Sequence, residues 1–214
     1  MYPWHTGRLD SGVGRAHGVA MTTPPLSTSR FHAVTGDRAA APELPRLPVT
    51  LVLDRLRSAH NVGNLFRLAE AVHASGIWTC GYTATPPHPK LEKTARGCDR
   101  TVPCRHFPDT VTALRELRGQ GVRIYAVEIV QEARWSWDTT FQVPAALVLG
   151  NEALGISPEA LELCDAAIAL PCLGQKNSIN VGNCAAVPLY EALRQWLQAN
   201  PAFLPRLTPA APVE

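Results

Sequence analysis

The four residues Asn-Val-Gly-Asn occur twice in this chain, as Asn61-Val62-Gly63-Asn64 and as Asn180-Val181-Gly182-Asn183. An asparagine amide presents donors and an acceptor without carrying charge, so it can bond other polar groups in either direction. The flanks, LDRLRSAH before the first copy and PCLGQKNSI before the second, share no apolar pattern, so the copies are not a duplicated unit. What they share is position: each opens a run with helical spacing. Two roles are open for Asn61 and Asn180. They cap two helices, a common task for Asn, or they converge on one site. Asn64 and Asn183 read as structural.

The elements that must carry these residues alternate along the chain. VTLVLD (49–54) is a short apolar, β-branched run and predicts a buried strand. From Val62 the apolar residues Leu65, Phe66, Leu68, Ala69 and Val72 follow helical spacing, and the run stops near Gly76. GIWTCGY (76–82) predicts a second strand and PPHP a stiff loop. Residues 109–121 predict a helix with an Asp cap and a Gly end; 122–130 and 145–150 predict two further strands. SPEALELC predicts a short helix with Pro at its first position, 166–171 a fifth strand, and Val181 to Gln198 a last helix that Pro188 should kink or loosen. This alternation implies an α/β fold, a mostly parallel sheet with helices on both faces, whose ligands bind at the carboxyl ends of the strands.

Composition sets the outer limits. Apolar residues make up 46% and charged residues 18% of 214, as in a globular protein, and no apolar run is long enough for a membrane span. The first residues lack the apolar core of a secretion signal. Six scattered Cys without a CxxC pair argue for reduced thiols in a cytoplasmic setting and against a metal site. A net charge of +2 permits a nucleic-acid partner without demanding one. Arg46, Arg55, Arg57 and Arg67 cluster, as a phosphate track would require, or else form an ordinary solvated face. Residues 1–47 read as a disordered Pro/Gly/Ser-rich tail and 201–214 as a Pro-rich tail, leaving 48–200 as the folded domain. No GxGxxG follows the first strand, which argues against a dinucleotide-binding oxidoreductase.

Three strand-to-loop junctions end in polar residues that a core strand would not want: LDRLRSAHNVGNLFRLAEA (53–71), LVLGNEALGIS (147–157) and LPCLGQKNSINVGNCAAVPLYEALRQ (170–195). In this order they resemble the three signature motifs of the SpoU (TrmH-like) family of RNA ribose 2′-O-methyltransferases, in the SPOUT superfamily. The resemblance covers about residues 48 to 198, and TPPHPKLEKTARGCDRTVP (85–103) resembles a short, single-domain branch.

That resemblance implies a SPOUT fold with a C-terminal deep trefoil knot, a homodimer, S-adenosylmethionine as cofactor and RNA (tRNA or rRNA) as substrate. It implies that main-chain atoms near Leu149, Gly150, Leu170 and Ile179 hold the cofactor. Gly150 suits a close approach of backbone to ligand, and Leu170 and Ile179 suit the two faces of an adenine. It also implies a catalytic set of Asn61, Arg67, Glu152, Ser178 and Asn180, meeting around the reacting ribose partly across the dimer interface. Glu152 orients Arg67 or bonds a helix N-terminus. Arg67 accepts the proton, as the family assignment has it, or anchors a neighbouring phosphate, since a guanidinium rarely gives up its proton. With no folded N-terminal domain in view, Arg55, Arg57 and Arg67 are the expected RNA contacts. Trp135 and Trp137 stack bases or anchor a loop. Pro188 and the Gly182-Asn183-Cys184 run depart from the family pattern and bear on dimer packing rather than on chemistry. An RNA-binding protein without catalysis and a base-directed SPOUT methyltransferase are the competing readings. The full set of polar residues opposes the first and the Asn61/Arg67 pair opposes the second.

Overall fold

The structure is a computed structural model that describes residues 45–206. The tail expected over 1–47 lies almost wholly outside the described residues. Seven strands form one sheet: β1 (Leu47–Asp54), β2 (Ala74–Cys80), β3 (Cys104–Phe107), β4 (Arg123–Val127), β5 (Arg134–Trp135), β6 (Ala145–Leu149) and β7 (Ala166–Ala169). Five helices accompany them: α1 (Ala59–Ala71), α2 (Pro89–Ala95), α3 (Thr110–Gly119), α4 (Pro158–Leu161) and α5 (Val181–Ala199). The strand order is β3-β2-β1-β6-β4-β7-β5, and every pairing is parallel.

The apolar run of β1 is continuous because both faces of the sheet are covered. Leu51 and Leu53 point into one core with Leu147, Leu149, Phe66 and Leu189, beneath α1 and α5. Val52 points the other way, with Val148, Ile124, Leu114 and Leu117, beneath α3. The period of two along each strand thus feeds two cores.

Several boundaries differ from the sequence expectation. β1 starts at Leu47, whose N–H donates to His73 O at 2.9 Å. β3, β5 and α2 were not foreseen. β3 is four residues long with two of them exposed, β5 has two residues, and α2 buries only Leu91 and Ala95, so none offers a periodic signal. α5 runs from Val181 to Ala199 without a break in assignment, with Pro188 buried inside it. Residues 201–206 form a 3-10 turn in which Phe203 stacks on Trp196 with ring centroids 5.2 Å apart, so the expected C-terminal tail begins by packing back on α5.

Candidate active site

Polar residues close three of the buried strands at their carboxyl ends: Asp54 on β1, Glu128 after β4, and Asn151 after β6. Asp54 is 1% exposed and accepts from Thr110 Oγ1 at 2.6 Å, Arg55 Nε at 3.0 Å and Ser157 N at 2.8 Å. One carboxylate thereby ties the ends of β1 and α3 to the segment before α4. Asn151 is buried too. Its Nδ2 donates to Arg55 O at 2.6 Å and Tyr82 Oη at 2.7 Å, while its Oδ1 accepts from Ala153 N at 2.9 Å and Leu154 N at 3.1 Å. This amide holds the loop after β6 closed and fastens it to the loop after β1. None of these three was singled out from the sequence. Their common signal was present, a polar residue ending an apolar strand.

The loop so fastened presents Glu152 to the N-terminus of α1. Its Oε2 accepts from Arg57 N at 2.9 Å, and its Oε1 accepts from Ser58 N at 3.3 Å and Asn61 Nδ2 at 2.9 Å. Partial burial alone would raise the Glu152 pKa, but the Arg57 N–H, the Asn61 amide and further backbone N–H groups outweigh it and hold the carboxyl below its ordinary range. Of the two tasks open for Glu152, the helix N-terminus is the one its contacts show, and Arg67 is not among its partners.

The two Asn-Val-Gly-Asn copies meet. Asn180 Nδ2 donates to Asn61 Oδ1 at 3.1 Å. Asn180 Oδ1 accepts from Gly182 N at 2.9 Å, so Asn180 also caps α5. Asn61 does not cap α1. That role belongs to Ser58, whose Oγ accepts from Asn61 N at 3.2 Å, three residues earlier than the apolar periodicity suggested. The Asn61 side chain is therefore free to bridge Glu152 and Asn180. Asn64 and Asn183 are both exposed, and Asn64 lies beside the start of α5, where a Cβ at Gly182 would approach its Cβ at 3.9 Å.

This relay borders a cleft of about 790 Å³ at the carboxyl ends of β4, β6 and β7, lined among others by Leu149, Gly150, Leu170, Ser178 and Ile179. Ile179 is 49% exposed, which excludes it as a plain core residue. Gly150 is required by its own loop. A Cβ there would strike Gly155 C and Ile156 N, so the close approach is that of the loop to itself. Main-chain groups of residues 173–179 have no hydrogen-bond partner among the described residues. Unspent main-chain donors and acceptors beside exposed Ile179 and half-buried Leu170 fit a ligand with a flat ring and polar edges, and so fit S-adenosylmethionine. The Cys184 thiol, also in the lining, is pushed up to about 11, first by burial, and stays protonated.

Arg67 stands apart. It lies on the exposed side of α1, outside the cleft lining, and its guanidinium makes no hydrogen bond or ion pair among the described residues. At six residues from Asn61 it sits about 9 Å further along the helix. Of the other arginines, Arg46 donates to Ala74 O at 3.0 Å and Arg55 is paired with Asp54, so both serve the fold, while the Arg57 side chain is exposed. Trp135 and Trp137 are 45% and 56% exposed with centroids 6.1 Å apart, a stacked pair on the surface rather than loop anchors.

The sequence profile described as the SpoU rRNA Methylase family matches residues 48–190. This chain belongs to that family. Among relatives of the SpoU domain, the chain is 35% identical over 161 residues to a tRNA (guanosine(18)-2'-O)-methyltransferase of Thermus thermophilus, covering 75% of this chain and 82% of that protein. It is 30% identical over 174 residues to a 23S rRNA (uridine(2479)-2'-O)-methyltransferase of Streptomyces viridochromogenes, covering 77% of this chain and 61% of the relative. Its fold is similar to the crystal structure of the SpoU methyltransferase AviRb of that organism in complex with AdoMet. The TM-score is 0.65 at 26% identity, over 72% of this chain and 60% of the other. A TrmH/SpoU tRNA modifying enzyme of A. aeolicus matches with a TM-score of 0.66 at 26% identity, over 72% and 78% of the two chains.

Proposed function

We propose that this SpoU-family chain transfers a methyl group from S-adenosylmethionine to a ribose 2′-hydroxyl of structured RNA, tRNA or rRNA, as a cytoplasmic homodimer. The observation that carries the reading is the relay Glu152–Asn61–Asn180 along the rim of the cleft. When bound, the cofactor supplies a sulfonium that is already a strong methyl donor. What remains for the chain is to align one hydroxyl and to dispose of one proton. Positioning of this kind contributes roughly 7–11 kcal/mol in favourable cases. Asn61 and Asn180 orient the ribose from two helix starts whose mutual geometry Glu152 holds, and Ser178, exposed on the cleft wall, bonds a substrate oxygen. The cofactor is held by the main chain at Leu149 and Gly150 and between Leu170 and Ile179.

Arg67 is too far along α1 to serve the relay of its own chain, so Arg67 of the partner subunit completes each site. It acts as a phosphate anchor, because guanidinium groups keep their protons in proteins. The 2′-proton then leaves to the anchored phosphate or to water. The C-terminal trefoil knot belongs to this reading as well, supported by the position of β7 between β4 and β5 while α5 returns to the face of β1 and β6. Exposed Arg57 and Arg67 supply RNA contacts. The test is methyl transfer from labelled S-adenosylmethionine into total cellular RNA, followed by digestion to nucleosides. A 2′-O-methylated nucleoside is the expected product. A methylated base moves the chain to base chemistry, and cofactor binding without label in any RNA removes catalysis from the proposal.

A further inference from the structure

Two carboxylates, Glu128 and Glu152, line the cleft, and among the described residues no Lys, Arg or His lines it. Glu152 is committed to the N-terminus of α1, as described above. Glu128 is placed differently. It follows the last residue of β4, and its Oε1 accepts from Ile129 N at 3.0 Å while its Oε2 accepts from Ile156 N at 3.0 Å. Neither oxygen has a cationic partner among the described residues. The loop after β6 is shaped around it: Gly155 has φ +70, and a Cβ there would stand 2.5 Å from Glu128 Oε2. Its two donors are neutral main-chain groups, so its charge remains to act on whatever occupies the cleft.

We infer that Glu128 makes the cleft prefer the cationic sulfonium donor over its neutral thioether product, so that S-adenosylhomocysteine is released rather than retained. The inference rests on the cleft being the S-adenosylmethionine site. Both compounds share the adenosine and amino-acid parts and differ only at sulfur, by one methyl group and one unit charge. Contacts from Leu149, Leu170 and Ile179 therefore serve both equally and cannot discriminate. A carboxylate in the wall can, because a unit charge within several ångströms in a partly shielded cleft shifts affinity about 5- to 10-fold after screening. Glu152 contributes less to this discrimination, since it is bound at the N-terminus of α1, whose dipole opposes its charge.

The experiment is calorimetric titration of the full-length protein, without RNA, with S-adenosylmethionine and with S-adenosylhomocysteine. The wild type and Glu128→Gln are compared at low and at physiological ionic strength. Wild type should prefer the sulfonium, with a preference that narrows as salt rises. Glu128→Gln should lose about 5- to 10-fold in S-adenosylmethionine affinity and less than 2-fold for the thioether. Equal weakening of both ligands would show that Glu128 serves what the two share, their α-ammonium or the loop it bonds at Ile156, and unchanged affinities would show no role; either overturns the inference. Should the variant fail to fold, the salt dependence of the wild-type ratio decides alone, a flat ratio overturning the inference. Wild type that binds neither compound overturns the cofactor reading itself, a result distinct from an unchanged ratio.

Discussion

Asn180 spends its side chain on two tasks at once, and the two can be separated. Its Oδ1 caps α5 through Gly182, while its Nδ2 reaches Asn61. Loss of a cap costs about 1 kcal/mol, which in a domain of this size lowers the melting temperature by roughly 2–4 °C. Asn180→Ala should show that modest shift together with a fall in turnover of more than about tenfold, a step of at least 1.4 kcal/mol in barrier. A loss of turnover no larger than the loss of folded protein would return Asn180 to capping alone. Glu152 offers a pH test. Its folded pKa is lowered, burial being outweighed by its hydrogen bonds. Its stabilising contribution is therefore present where the unfolded carboxyl is also ionised, and is lost as pH falls through the folded value. The difference in melting temperature between wild type and Glu152→Gln should be largest near neutral pH and shrink below about pH 4. A difference that stays constant on acidification would mean that the charge is not what holds the α1 N-terminus.

At the scale of elements, α1 is placed by close approach on two sides. On one side Gly63 admits α2: a Cβ there would strike Thr94 Oγ1 and would stand 2.5 Å from Leu91 O and 2.9 Å from Ala95 N. Thr94 can turn its hydroxyl away, but two backbone atoms of α2 cannot. Gly63→Ala should therefore destabilise the protein by about 1–3 kcal/mol and displace the first turn of α1, and with it Asn61. Thermal melting checks the first outcome and a raised KM for RNA the second. A neutral substitution would show that α2 yields freely. On the other side the start of α5 meets α1 through the Asn180–Asn61 bond, where a Cβ at Gly182 would reach Asn64 Cβ only at an ordinary 3.9 Å. Close helix–helix approach thus requires the Gly of the first copy, whereas the two Asn at the head of the copies are joined directly.

For the whole molecule the open question is shared sites. Arg67 lies outside the cleft of its own chain, and the proposal places it in the site of a second copy. Arg67→Ala alone should abolish turnover and spare cofactor binding, and Asn180→Ala should leave no more than about a tenth of turnover. Mixing the two impaired variants should restore activity, because a mixed dimer carries one site built from intact Asn180 and intact Arg67. Random exchange in a two-fold dimer predicts about a quarter of the wild-type turnover. Absence of recovery, with mixed dimers demonstrated by differential tagging, would confine each site to one chain.

Read alone, the chain determined its α/β class, the parallel sheet, strands β1, β2, β4, β6 and β7, helices α1, α3, α4 and α5, and the three polar junctions that meet at the cleft. These follow from local patterns: a buried parallel strand is a continuous apolar run, and a surface helix repeats at 3.6 residues. Leu149, Gly150, Glu152, Leu170, Ser178, Ile179, Asn61 and Asn180 were all legible as one group through family resemblance, and they do surround one cleft. The tertiary structure alone decided how they are used. That Ser58 rather than Asn61 caps α1, that Gly150 makes room for its own loop, that Asp54 and Asn151 clamp the junctions, and that Glu128 stands uncompensated in the wall all depend on contacts between residues far apart in the chain. A hydrogen bond spanning 119 positions, such as that between Asn180 and Asn61, leaves no periodic trace, because it is set by how strands and helices pack and not by the residues beside it.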